Sequence, residues 1–354
     1  MTASQDRVRI RACIVAIACS AGTVSAQTPP SAPADCHAIA TPMERLACYD
    51  SVSGRAPAAL PAPGTSARSP TSPSDTTSDA GKVSATSRPS SMIDAAWGFS
   101  PSSPRYDISF YQPNYLLFAR YSDRVNTAPF VPFFQAFGPE ENFNDIEAKF
   151  QFSFKARLWT TDDRRWGVWA AYTQQSQWQV YNGDASRPFR DTNYMPEALV
   201  SYAPGVDLGG GFRWSLINGG YIHQSNGRSD VLSRSWNRLF AEVGVERGNL
   251  ALLAKAWYRI KENSDEDDNP DITDFLGYGQ VSALYRWRDH IFSGTVRGNV
   301  ATGKGAIQLG WNSPPLLGPL RGYVQFFSGY GESLIDYNWK QTTIGAGVSL
   351  SYGL

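Results

Sequence analysis

The sequence of 354 residues has few of the side chains that build zinc or redox centres. It contains 4 cysteines, none beyond Cys48, and 3 histidines, at positions 37, 223 and 290. A metal site made of thiolates or several imidazoles is therefore excluded from most of the chain. An excess of one charge is also lacking, because 32 basic residues balance 32 acidic ones, and so no nucleic-acid partner is indicated.

Long apolar runs are absent as well, since none approaches the roughly 20 residues of a membrane-spanning helix. The apolar stretch at 12–18 is short, follows three arginines and leads to small residues at 24–26. This order of basic, apolar and small residues predicts a Sec signal peptide over 1–26. Lipid attachment at Cys19 is an alternative, but the residues before it do not form the expected Leu-led box.

Two cysteines, Cys36 and Cys48, remain in the predicted small element 27–51. The letters T-P-M-E between them combine a capping box with proline at the first helical position, which predicts a helix over 42–51. A disulfide is the favoured interpretation, and two free thiols are the alternative. Residues 52–101 are mostly proline, serine, threonine, alanine and glycine, a composition that predicts a largely disordered linker.

The remaining residues, 102–354, alternate between apolar and polar side chains, as residues 146–158 show most clearly. Such alternation predicts strands with one apolar and one polar face. The strands run about 10 residues or more, aromatic residues fall near their ends, and short and long connections alternate, as in outer-membrane barrels. The sequence therefore predicts an all-β fold, an antiparallel transmembrane β-barrel of about twelve strands in a Gram-negative outer membrane. A soluble sandwich or lipocalin-like barrel is the alternative.

Candidate catalytic residues lie in the stretch 221–240. On an extended segment, His223 and Ser225 project from the same face, with their Cβ atoms within roughly 7 Å. Asn237 has the parity of the apolar residues on the returning strand, so a hairpin would bring it to His223 on the lipid-facing side. Base, hydroxyl and amide together indicate hydrolysis. The amide can orient the imidazole but cannot stabilise imidazolium as a carboxylate does. By itself H-x-S is better explained by chance in a serine-rich chain, and a polar hairpin loop explains S-N-G-R-S-D just as well.

The loop between the two strands also carries oxygen donors. The carboxylate of Asp230, the hydroxyl of Ser233 and the carbonyl of Arg228 suit calcium far better than zinc. The acidic run 265–271 could bind a cation too, but a solvated acidic loop is the favoured interpretation. His290 falls in a short turn, where no catalytic role is expected.

The stretch H-Q-S-N-G-R-S-D-V-L-S-R-S-W-N-R resembles the signature of the outer-membrane phospholipase A family. The resemblance continues through P-F-R-D-T-N-Y (188–194), D-D-N-P-D-I-T (267–273) and S-G-Y-G-E-S-L-I-D-Y-N (328–338). It extends over residues 114–354 and implies an outer-membrane enzyme that cleaves sn-1 and sn-2 acyl esters of phospholipids and lysophospholipids. Passive porins and structural barrels, which need no such constellation, are the competing interpretations.

The same resemblance implies roles for individual residues. Ser225 would be the nucleophile, His223 the general base and then acid, and Asn237 the group that orients the imidazole. The backbone amide of Gly227 and a calcium-bound water would receive the oxyanion.

The resemblance also implies that the protein depends on calcium and acts as a homodimer. Asp230, Ser233 and the Arg228 carbonyl would hold Ca²⁺, and a second subunit would contribute a serine. The matching position is Ser186, in A-S-R-P-F-R where relatives have S-S-P-F-R. Gln174, in Y-T-Q, matches a polar residue of the dimer interface and would otherwise be an ordinary barrel position.

Overall fold

The computed structural model describes residues 91–132, 142–263, 265 and 267–353, together with residues 36, 39, 45, 48, 49 and 52. The chain divides into two compact units, residues 1–82 and residues 83–354. In the first unit a disulfide joins Cys36 to Cys48, which confirms the favoured pairing. The described residues within the predicted helix 42–51 are helical. The predicted signal peptide and residues 53–90 of the predicted linker lie outside the described residues.

Antiparallel strands form the second unit. The strands are β1 (Asp107–Phe110), β2 (Asn114–Ser122), β3 (Ile146–Thr160), β4 (Trp166–Trp178), β5 (Phe189–Tyr202), β6 (Val206–Gly209), β7 (Phe212–Ser225), β8 (Ser235–Arg247), β9 (Leu250–Ile260), β10 (Gly279–Trp287), β11 (His290–Asn299), β12 (Lys304–Leu317), β13 (Leu320–Tyr330) and β14 (Lys340–Ser351). Neighbouring strands pair around a closed ring, in the order β3-β2-β14-β13-β12-β11-β10-β9-β8-β7-β5-β4 and back to β3, whereas β1 and β6 pair with β3 and β7 from outside the ring. This twelve-stranded ring confirms the predicted barrel.

The two faces of the strands show which side of the barrel is apolar. On β3, Ile146, Phe152 and Leu158 are exposed, whereas Lys149 and Lys155 are fully buried in the lumen. A soluble barrel has the opposite arrangement, with apolar side chains inside. The outward apolar face therefore supports the membrane barrel over the soluble alternative. None of the described helices has the length and hydrophobicity needed to cross a membrane.

Connections differ in length at the two ends of the barrel. We call the end with the turns 161–165, 248–249 and 288–289 the short-turn end, and the opposite end the long-loop end. In outer-membrane barrels the short turns are periplasmic and the long loops lie outside the cell.

A group of ion pairs fills the lumen at the long-loop end. Arg190 bonds to Glu147 at 3.0 Å and to Asp336 at 2.9 Å, and Arg120 bonds to Glu147 at 2.8 Å. Burial alone would raise the pKa of the Glu332 carboxyl, but the neighbouring cations hold that pKa well below its usual range. We call this group the lumen network: Arg120, Glu147, Lys149, Arg190, Glu332 and Asp336.

Glu147→Ala is expected to destabilise the barrel by about 3–5 kcal/mol, because it leaves the guanidinium groups of Arg120 and Arg190 buried without their shared carboxylate. The free energy of unfolding would be measured by denaturant titration of the refolded protein in detergent or vesicles. Asp184→Ala, at an exposed loop position, is the control and should change the free energy by less than about 0.5 kcal/mol. Equal midpoints for the two variants would contradict the assigned strength of the network.

A short helix, α1 (Met92–Trp97), packs into the lumen near the short-turn end. Ser91 caps it by accepting a hydrogen bond from the Asp94 amide at 2.8 Å, and the Ser91 hydroxyl donates to Glu246 of β8 at 2.5 Å. The Trp97 ring is buried, and the Lys155 ammonium lies 3.5 Å from its centroid. The ordered barrel unit thus includes residues that the sequence analysis assigned to the linker ending at residue 101. A second short helix, α2 (Ile272–Leu276), follows β9, and a cavity of about 280 Å³ remains in the lumen.

Candidate functional site

The candidate catalytic residues lie on the outer surface of the hairpin formed by β7 and β8. His223 pairs directly with Asn237, and Ser225 pairs with Ser235. Neighbours of the same parity, such as Leu239, are exposed, whereas the alternate residues of β8 are buried in the lumen. The structure therefore brings His223, Ser225 and Asn237 to the lipid-facing side.

A hydrogen-bonded chain surrounds the side chain of Asn237. Its Oδ1 lies 2.9 Å from Nδ1 of His223 and accepts a hydrogen bond from the Tyr221 hydroxyl at 2.5 Å. Its Nδ2 donates to Oε1 of Glu262 at 2.7 Å. With Nδ1 facing an amide oxygen, Nε2 of the imidazole is left to act as a base.

Ser225 stands two residues beyond His223 on the same face of β7. Among the described residues no hydrogen bond joins the two side chains. In hydrolases without bound substrate, the hydroxyl and the imidazole are often farther apart than a hydrogen bond. Tyr194 of β5 pairs with Ser225 on its other side.

The loop 226–234 is held closed by Asn226. The side-chain amide of Asn226 donates to the Leu232 carbonyl at 2.8 Å, and its Oδ1 accepts from the Arg234 amide at 3.0 Å. Gly227 has φ 62°, and a Cβ there would lie 3.0 Å from the ring of Tyr194. The left-handed backbone and this close approach favour glycine at this bend, two residues after Ser225.

The same loop carries several oxygen donors. The Ser233 hydroxyl donates to the carboxylate of Asp268 at 2.5 Å, and Asp230 adopts φ 54° at the start of a single 3₁₀ turn, Asp230–Leu232. The Arg228 side chain donates to the Phe189 carbonyl at 2.7 Å and so ties the loop to β5. Within the described parts of the chain, no three acidic, histidine or cysteine side chains form a metal cluster. A cation here would need hydroxyl and carbonyl ligands as well, and these donors fit calcium.

Strand pairing places one of the two residues expected at a subunit interface, Gln174, in line with Ser225. Gln174 pairs with Tyr194, which pairs with Ser225, so the three occupy one row on the outer face. Ser186 lies in the connection between β4 and β5 with φ 56°. In the described chain no hydrogen bond joins Ser186 to Asp230 or Ser233.

Two acidic neighbours of the site were missed by the sequence analysis. Asp268, in the run assigned to a solvated loop, contacts Ser233. Glu262 follows β9, whose Ile260 pairs with Asn237. The short turn at 248–249 sets this register, so a strand-pairing argument from that turn would have placed Glu262 beside the site. No comparable sequence feature predicts the position of Asp268, because a long loop rather than strand pairing brings it to Ser233.

Comparison with known proteins gives concordant matches. The phospholipase A1 family model matches residues 99–350. A phospholipase A1 of Escherichia coli K12 is 41% identical over 68% of this chain and 80% of its own length. A putative phospholipase A1 of Neisseria meningitidis is 42% identical over 67% of this chain, and the match spans 64% of that protein.

Solved structures agree with these matches. Outer membrane phospholipase A from Escherichia coli has a TM-score of 0.65 and 37% identity, over 73% of this chain and 96% of that one. The Salmonella typhi outer membrane phospholipase dimer with bound calcium has a TM-score of 0.65 and 36% identity, over 73% and 97%. With its fold, its outward-facing hairpin and these matches in agreement, this outer-membrane β-barrel belongs to the phospholipase A1 family.

Proposed function

We propose that this protein is a calcium-dependent phospholipase that hydrolyses both sn-1 and sn-2 acyl esters of phospholipids and lysophospholipids. The observation that carries the proposal is the hydrogen bond between His223 and Asn237 beside Ser225, on the outer face of the barrel. A polar constellation on a lipid-facing surface is costly unless it has a function. An ester at the level of this hairpin could meet the hydroxyl laterally from the membrane.

Residues of this chain carry out each proton transfer of the proposed reaction. Nε2 of His223 takes the proton of Ser225 as Oγ attacks the ester carbonyl, and the imidazolium then protonates the departing lysophospholipid oxygen. The Gly227 amide donates to the oxyanion. A water molecule activated by the same imidazole releases the acyl group from the serine. Asn237 keeps the ring oriented through both halves of the reaction.

Calcium binding is proposed for the loop beside the nucleophile. Asp230, Ser233 and the Arg228 carbonyl would hold the ion, and the contact between Ser233 and Asp268 adds a second carboxylate to the donor set. When bound, calcium supplies positive charge next to the developing oxyanion. The bound calcium of the Salmonella typhi relative supports this assignment.

A homodimer is proposed as the active form. The row formed by Gln174, Tyr194 and Ser225 is on the surface that a second copy could cover. Ser186 of the second copy would then complete the calcium site. The dimer named for the Salmonella typhi relative supports this arrangement.

A passive channel is the competing function. The lumen network crosses one end of the barrel, and α1 packs into the lumen near the other. Both features oppose free passage through the lumen, whereas the outward-facing hairpin has no role in a channel. Hydrolysis is therefore the better supported function.

The decisive experiment measures fatty-acid release from phospholipids labelled at sn-1 or sn-2 by the detergent-refolded protein. Calcium or a chelator is added, and the crosslinked dimer fraction is followed in parallel. We expect release from both positions that requires calcium and rises with the dimer fraction. No release from a folded, calcium-loaded dimer would overturn the proposal and favour the channel or a structural barrel.

A further inference from the structure

We propose that Glu262 is a positioning residue for the reaction proposed above, on which this inference rests. Its carboxylate fixes which way the side-chain amide of Asn237 points. The amide in turn fixes which nitrogen of His223 carries the proton.

The hydrogen-bonding capacities of the groups lead to this assignment. An ionised carboxylate can only accept, so Glu262 must face the NH₂ end of Asn237, at 2.7 Å. The Oδ1 end then faces Nδ1 of His223 at 2.9 Å, which places the hydrogen on Nδ1 and leaves Nε2 free as the base. Tyr221 cannot set this orientation, because a hydroxyl can donate or accept. A flipped amide would put the hydrogen on Nε2 and remove the base.

The charge of Glu262 has a second effect. A neutral asparagine cannot stabilise imidazolium as a carboxylate does, but here a carboxylate lies directly behind the amide. Oε2 of Glu262 is buried and makes no hydrogen bond within the described chain. A buried carboxylate oxygen without a partner is costly, and a purely structural contact offers no compensation for that cost.

The same geometry explains why an aspartate would not serve at position 237. Two carboxylates at the observed separation of 2.7 Å could not both ionise. The double substitution Asn237→Asp with Glu262→Gln preserves the order of donors and acceptors along the hydrogen bonds that lead to His223. The glutamine NH₂ would donate to the aspartate, and the aspartate would accept from His223.

The test compares Glu262→Gln, Asn237→Asp and the double variant, with rates expressed per folded protein. We expect each single change to lower kcat by roughly tenfold to a hundredfold with KM little changed. Glu262→Gln removes the acceptor-only group that fixes the Asn237 amide, and Asn237→Asp brings two carboxyl groups into contact. Neither change alters a group that is proposed to bind substrate. The double variant should recover kcat to within about threefold of the starting protein. Folding is checked by heat-dependent gel mobility, and the recovery remains informative if one single variant folds poorly.

Glu242→Gln is the matched control. Glu242 accepts a hydrogen bond from Asn218 at 2.9 Å, which is the same asparagine–carboxylate contact on the lumen face of β7 and β8. Its kcat should be unchanged.

Full activity of Glu262→Gln, or a double variant whose loss is the product of the two single losses, would overturn the inference. Either of these outcomes would leave the proposed function intact, provided that the unmodified protein hydrolyses phospholipid and the Ser225→Ala variant does not. An inactive unmodified protein would instead overturn the proposed function.

Discussion

Ser225→Ala is expected to reduce fatty-acid release by roughly 10³-fold or more, because it removes the proposed nucleophile, and the Tyr221 hydroxyl on the same face donates to Asn237 instead. The barrel should still fold, since the Ser225 side chain makes no hydrogen bond in the described chain that the substitution would remove. Release of labelled fatty acid from mixed micelles at saturating calcium is the measurement.

Ser235→Ala provides a closely matched control for this substitution. Ser235 pairs directly with Ser225 across the hairpin and has the same outward parity, but it stands on β8. It should retain activity within a few-fold of the unmodified protein. Substantial hydrolysis by folded Ser225→Ala would remove this serine from the mechanism, and equal losses in both variants would indicate damage to the hairpin instead.

Asp230→Ala is expected to raise the calcium concentration for half-maximal activity by at least about tenfold, since calcium affinity follows the number of charged ligands. Asp268→Ala should shift the same curve in the same direction if its carboxylate, which contacts Ser233, completes the donor set. A full calcium titration of activity, begun from chelator-treated protein, gives both values.

Asp265→Ala tests whether the effect depends on the loop's charge in general. Asp265 belongs to the same acidic run as Asp268 and is exposed. Its calcium curve should coincide with that of the unmodified protein. If Asp230→Ala also leaves the curve in place, the proposed metal position is wrong.

Much of the fold followed from the two-residue period of its strands. The alternation within 146–158 fixed a strand and its apolar face, and its outward direction follows from the buried lysines of the opposite parity. The stretch 212–222 was ambiguous because the register shifts between Trp214 and Leu216, which breaks the alternation. Asn237 lies on β8, where the alternation is regular, and its parity correctly predicted that it faces outward.

Helix α1 and Asp268 were both missed, and for different reasons. Serine, alanine, proline and threonine make up most of the predicted linker up to Ser91. The letters S-M-I-D-A-A-W-G nevertheless contain a cap, an apolar pattern and a final glycine, and these form α1. Composition alone obscured this local signal. Asp268 could not be placed, because the path of a long loop is set by its own contacts rather than by strand pairing.

Under the proposed mechanism, the position of the hairpin determines the units in which the kinetics should be expressed. Ser225 points away from the lumen, so a lipid that reaches it travels in two dimensions within the bilayer plane. The rate then depends on the mole fraction of lipid in the surface, and the bulk molarity of lipid sets only how much protein is inserted. Adding inert detergent at constant total lipid would therefore slow the reaction by surface dilution.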